Sequence, residues 1–139
     1  MAEAILQAKL GLEERGIPIG AVLVKNSIIV GRGRNRRVQQ NDPVSHAEID
    51  CLRNAGRLRT FRGLTLYSTL MPCYLCAGAV VQFAIRKVVA GESRNLEGGR
   101  GFMESHGVEV VDLDLPECYN MLRKFISENR DLWNEDIGK

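Results

Sequence analysis

The chain has 139 residues, enough for one domain with a sizeable core. Its 19 basic and 17 acidic residues leave a net charge of +2 spread along the sequence, which argues against nucleic acid as a partner because it builds no strong electrostatic funnel. No apolar run approaches the roughly 20 residues that span a bilayer, and residues 1–15 mix Glu and Lys into the apolar positions instead of forming a secretory core, so a soluble protein of the cytoplasm, with the nucleus also open, is expected.

Ile5, Leu6, Leu10 and Leu12 predict a first helix that starts at the chain end and is stopped by Gly16 ahead of Pro18. Residues 19–24 and 28–30 read as strands joined by a tight hairpin near Lys25 and Asn26. Residues 31–45, rich in Gly, Arg, Asn and Asp, read as a loop, whose cluster Arg32, Arg34, Arg36 and Arg37 is either solvated or a phosphate site. A helix over 46–54 ends before Gly56, a strand covers 64–68, and a second helix over 72–83 opens on Pro72. A strand at 87–90, a Gly-rich loop at 98–101, a short helix near Met103, a strand at 108–111 and a helix over 116–128 complete the order. Without repeats or linkers, residues 1–139 read as one α/β domain with a mixed sheet.

The residues that carry chemistry are His46-Ala47-Glu48 and Pro72-Cys73-Tyr74-Leu75-Cys76. Four cysteines in a chain without a leader are better read as reduced thiols or metal ligands than as disulfides. Cys73 and Cys76 stand three apart at a helix start, where the positive helix end favours thiolates. His46, at the start of the other helix, adds an imidazole nitrogen, so three ligands and one open tetrahedral position for water suit catalytic zinc. Glu48 is then a carboxylate free to move protons. Other readings of the parts stay open. Ser45 and Glu48 have capping-box spacing, and C-x-x-C alone fits a redox pair or a structural zinc site with Cys51, Cys118 or His106 as a further ligand. Cys51, about 140° around the helix from His46, reads as a core residue.

The joint pattern resembles the H-x-E…P-C-x-x-C signature of zinc nucleobase deaminases. From about residue 16 to 139 the chain further resembles the small fungal-type cytosine deaminases of the cytidine deaminase-like superfamily, through residues 16–20, 31–35, 91–95, 107–110 and the tail Trp133-Asn134-Glu135-Asp136-Ile137-Gly138. The resemblance implies a three-layer α/β/α fold with a mixed five-stranded sheet, one zinc per subunit held by His46, Cys73 and Cys76, a homodimer, and hydrolysis of free cytosine to uracil and ammonia in pyrimidine salvage. It implies that Glu48 shuttles protons, that Asn35 and the Ala47 N–H hold the base, and that the Met71 carbonyl and Asp136 accept its N–H groups. Trp133 would help form a C-terminal lid, with Ile19 and Leu96 lining the pocket. Ala47, Met71 and Leu96 replace the Gly, Ser and Phe expected of that group. Deamination of guanine or another free base is the next reading, then a tRNA adenosine deaminase, with a non-enzymatic zinc module last.

Overall fold

A computed structural model describes residues 1–139. Helix α1 (Ala2–Glu13) leads into the hairpin of β1 (Gly20–Lys25) and β2 (Ile28–Arg34), followed by the short α2 (Arg37–Gln40) and by α3 (Ala47–Ala55). Then come β3 (Thr65–Ser68), α4 (Tyr74–Gln82), β4 (Lys87–Ala90), α5 (Arg100–Ser105), β5 (Glu109–Asp112), α6 (Pro116–Glu128) and α7 (Arg130–Asp136). The strands form one mixed sheet ordered β2-β1-β3-β4-β5, in which β1 runs antiparallel to β2 and β3, while β3, β4 and β5 are parallel. The parallel half is built by crossovers through α4 and α5, as parallel neighbours require.

Helices cover both faces of the sheet, because successive residues of a strand face opposite sides. Gly20 is paired with Arg34 and faces α1, where an added Cβ would lie 2.5 Å from the Ala8 nitrogen. The next pair, Ala21 with Gly33, faces α3. Between these layers lies a cluster of 21 buried residues that includes Leu23, Leu66, Val88, Ala47 and Cys51, so Cys51 is a core residue as its helical position suggests. No helix is long and apolar enough to cross a membrane.

The structure departs from the sequence expectation in three places. Strand β2 continues to Arg34, where the glycines suggested a loop. Here glycine serves packing: Gly31 and Gly33 present no Cβ to α3, whose backbone takes that space. The supposed loop also contains α2, four residues closed by Asn41 in the left-handed conformation at φ 49°. The tail beyond Asn129 is a further helix, α7, which buries Trp133.

Gly33→Ala tests the contact that places α3. Its methyl would overlap Cys51 N and Ala47 O, both backbone atoms that cannot swing aside. A loss of about 3 kcal/mol is expected from forced overpacking, measured by urea denaturation, together with lower metal occupancy because α3 carries His46.

Candidate active site

His46 and Cys73 are the N-cap residues of α3 and α4. Both have extended backbones, at φ −69° and ψ 162° for His46 and φ −65° and ψ 175° for Cys73, and neither side chain bonds its own helix. Each helix therefore begins later than the sequence suggested, and Pro72 stands just outside α4. Cys76 sits in the first turn of α4, three residues beyond Cys73 and on the same side. Two positive helix ends thus converge on one point.

The donor atoms of His46, Cys73 and Cys76 all lie within 4.8 Å of one another, with His46 Nδ1 3.4 Å from Cys73 Sγ. Tetrahedral zinc with Zn–S of ~2.3 Å and Zn–N of ~2.0 Å separates its ligands by roughly 3.5–3.8 Å, so the three donors fit that ion with little adjustment. Nδ1 is the nitrogen that would hold a metal here, since Nε2 turns toward Asp136 Oδ1 at 3.8 Å. Cys51 and Cys118 are buried elsewhere as free thiols, and His106 is exposed, its ring tilted against Phe102. None completes a closed structural site.

Glu48 lies buried beside these donors, and Ser68 Oγ at the end of β3 donates to its Oε1 at 2.9 Å. It does not reach back to cap α3, and Ser45 Oγ instead meets Gln40 and Arg53, so the capping-box alternative fails. Burial pushes the Glu48 carboxyl up, and the Cys73 charge adds to the push. The Cys73 thiol is lowered to about 4, chiefly by a hydrogen bond from Cys76 and then by His46, against the opposing effect of burial. Cys76 is raised well above its ordinary value by that same hydrogen bond and by burial. Burial alone would lower His46, but the Cys73 hydrogen bond and the charges of Asp136, Cys73 and Glu48 outweigh it and raise the imidazole.

An inner pocket opens next to the three donors. Its lining includes Ile19, Asn35, Ala47, Glu48, Met71, Leu96 and Asp136, so the structure brings together six of the seven substrate contacts expected from the sequence, with Leu70 as an addition. Trp133 is the exception, because it is packed into the core and lines neither this pocket nor the cleft outside it. The pocket keeps only about 10 Å³ of free space. Asp136 and Leu96 separate it from an outer cleft of about 590 Å³ bordered by Tyr74, Glu97 and Ile137.

Asp136 is 5% exposed, and Asn35 Nδ2 donates to its Oδ1 at 3.0 Å while Arg37 Nη1 approaches the same oxygen at 3.2 Å. Arg37 is a site residue that sequence reasoning missed, because the arginine cluster looked uniform. Each member has its own carboxylate: Arg32 meets Glu3, Arg34 meets Glu14, Arg36 meets Asp50 and Arg37 meets Asp136. Those pairs reduce the positive charge the cluster presents, which favours the solvated reading over a phosphate site. Ser68 was missed too, since only the β3 register places it under Glu48.

Residues 1–92 match the family defined as the cytidine and deoxycytidylate deaminase zinc-binding region. The chain belongs to that family. A cytosine deaminase of Candida albicans is 41% identical over 98% of this chain and 93% of its own length. A tRNA-specific adenosine deaminase of Bacillus subtilis is also 41% identical, over 94% of this chain and 88% of its own. A solved structure from studies of tRNA:A34 deaminases superposes with a TM-score of 0.78 at 32% identity, covering 88% of this chain and 97% of that one. Zinc is therefore the cofactor, and the fold is the deaminase α/β fold.

Because ligating thiols and imidazoles must be deprotonated, metal binding releases protons. At pH 7 Cys73, at about 4, is already a thiolate and releases none. The raised Cys76 thiol releases a full proton and the raised His46 a fraction of one. Calorimetric zinc titrations in buffers of different ionisation enthalpy should give about one to two protons per zinc. Zero would remove Cys76 from the ligand set, and three would mean that Cys73 starts as a thiol.

Proposed function

We propose that the chain hydrolyses free cytosine to uracil and ammonia. The observation that supports this most is Asp136, a carboxylate from the last helix placed inside the inner pocket. A carboxylate only accepts hydrogen bonds, and the contacts from Asn35 and Arg37 both fall on Oδ1, so Oδ2 is free of protein donors. A free pyrimidine base offers an N1–H to that oxygen. A nucleoside has no such hydrogen, and its ribose would have to pass through α7.

In this reading Asn35 and the Ala47 N–H orient the base carbonyl, and the Met71 carbonyl accepts from the exocyclic amine. Bound zinc supplies the Lewis acidity that brings water to nucleophilic strength near neutral pH. Glu48 takes the water proton, places it on N3, and then moves a proton to the departing amine, while Ser68 steadies the carboxylate from below. Asp136 and Leu96 close over the ring and exclude bulk water, so the pocket must open for the base to enter. A homodimer and a role in cytoplasmic pyrimidine salvage go with this reading.

Deamination of a tRNA adenosine is the second reading, favoured by the full-length likeness to bacterial tRNA-specific deaminases. It requires RNA to reach past Asp136 and a surface that holds phosphates, whereas the arginines nearest the site are already paired with carboxylates.

Ammonia release from cytosine, cytidine, guanine, adenine and an anticodon stem-loop decides between these readings. Cytosine is expected to be turned over best, and equal turnover of cytidine or exclusive turnover of the RNA would reject the proposal. Glu48→Gln should keep zinc and lower kcat by about 10²–10⁴-fold, the usual contribution of general acid–base steps. Asp136→Asn should lower kcat/KM for cytosine by roughly tenfold or more, since an amide can turn a donor toward N1–H.

A further inference from the structure

The loop between β4 and α5 carries Leu96 over the inner pocket and holds one carboxylate that the chemistry above does not use. Glu92 is 0% exposed, yet no cation pairs with it. Its neighbour Arg94 sends its guanidinium away, to Asp114 at 2.8 Å and over the Tyr119 ring at 3.9 Å. Instead Glu92 Oε2 accepts the backbone N–H groups of Arg94 at 2.7 Å and Asn95 at 3.0 Å, and Oε1 accepts Asn95 Nδ2 at 3.1 Å. The same Asn95 amide donates to the Tyr119 carbonyl on α6 at 3.2 Å. A buried carboxylate persists only where its lone pairs are met. Here all the donors come from the two residues immediately before Leu96.

The same residue also fastens the opposite wall. The Met71 N–H donates to the Glu92 carbonyl at 2.8 Å, and the Gly99 N–H donates to the Pro72 carbonyl at 2.8 Å, so both ends of the loop are tied to the segment that bears Met71 and Cys73. Gly91 leaves no room for slippage, since a Cβ there would lie 2.6 Å from both Thr69 O and Cys118 Sγ. We propose that Glu92 is a positioning residue for substrate selection: its carboxylate fixes the backbone at Arg94 and Asn95 and so aims Leu96 at the base. This rests on the free-base reading only in the choice of ligand. The pocket is closed down to about 10 Å³, too little for a planar base, so where Leu96 is held decides how a base is admitted and gripped.

Glu92→Gln keeps the volume but replaces one acceptor with an amide donor facing Asn95 Nδ2, which cannot turn away without losing Tyr119. The expected result is a KM for cytosine raised about tenfold with kcat changed less than about threefold per zinc-loaded molecule. Exchange of the Arg94 and Asn95 amides should accelerate on the order of 100-fold while β4 is unchanged. Glu117→Gln, an exposed carboxylate on α6, serves as the control and should alter neither. If Glu92→Gln does not fold, Glu92→Asp, which keeps the charge but shortens its reach to the Arg94 and Asn95 N–H groups, should still raise KM at least about threefold. A lower melting temperature with unchanged KM in the variant that folds would overturn the proposal and leave Glu92 a stability residue. If the wild type releases no ammonia from cytosine, the free-base reading falls, and the Glu92 assignment is judged separately on amide exchange and on KM for whichever substrate is turned over. Unchanged exchange would overturn it.

Discussion

His46 and Cys73 occupy positions where a side chain ordinarily bonds the free N–H groups of its own helix, and here both side chains are turned outward to meet each other. That single meeting of two helix ends fixes the rest of the centre. It places Cys76 one turn along α4, sets Glu48 beside the donors, and surrounds the resulting negative charge with the positive ends of two helix dipoles. The uncapped N–H groups are not wasted, because they supply part of the field that favours thiolate over thiol.

The sheet holds these two ends in register. Helix α3 is drawn against β2 because Gly31 and Gly33 let backbone approach backbone, and α4 starts where β3 ends beside β4. Ser68 then rises from β3 into contact with Glu48. A carboxylate, a thiolate and an imidazole within a few ångströms would repel or exchange protons freely in water. Buried together, they shift one another in opposite directions: Cys73 down, Cys76 and Glu48 up.

Much of this was legible in the sequence, and the exceptions share a cause. The strand at Lys87–Ala90 and the helix at Pro116–Glu128 fall where hydrophobic period and proline placed them. The metal donors were visible because spacing along a helix is local information. Asn35 and Asp136 came into view only through family resemblance, since 101 residues separate two side chains that touch. Gly31 and Gly33 misled because glycine marks turns in a linear reading and close packing in a folded one. Trp133 was expected over the substrate, but its large apolar surface is satisfied by the core, leaving Asp136 to face the pocket. Arg37 carries no motif, and Glu92 lies in the family-like stretch 91–95 without a role attached to it, so the significance of both comes from what folding sets against them.

The family match ends at Glu92, and the metal-donor cluster and the buried carboxylate beside it lie within it. His46, Glu48, Ser68, Cys73 and Cys76 all precede that point, whereas Leu96 and Asp136, which close the pocket, follow it. The segment that closes the pocket is thus separate in sequence from the metal donors and from the pocket residues Asn35, Ala47 and Met71, all of which precede Glu92. Such a separation lets the closing segment diverge at its own speed. A lineage can exchange its closing segment, and with it the molecule admitted, while the proton and metal chemistry underneath stays intact, which offers a physical route by which one scaffold comes to serve free bases in some relatives and transfer RNA in others.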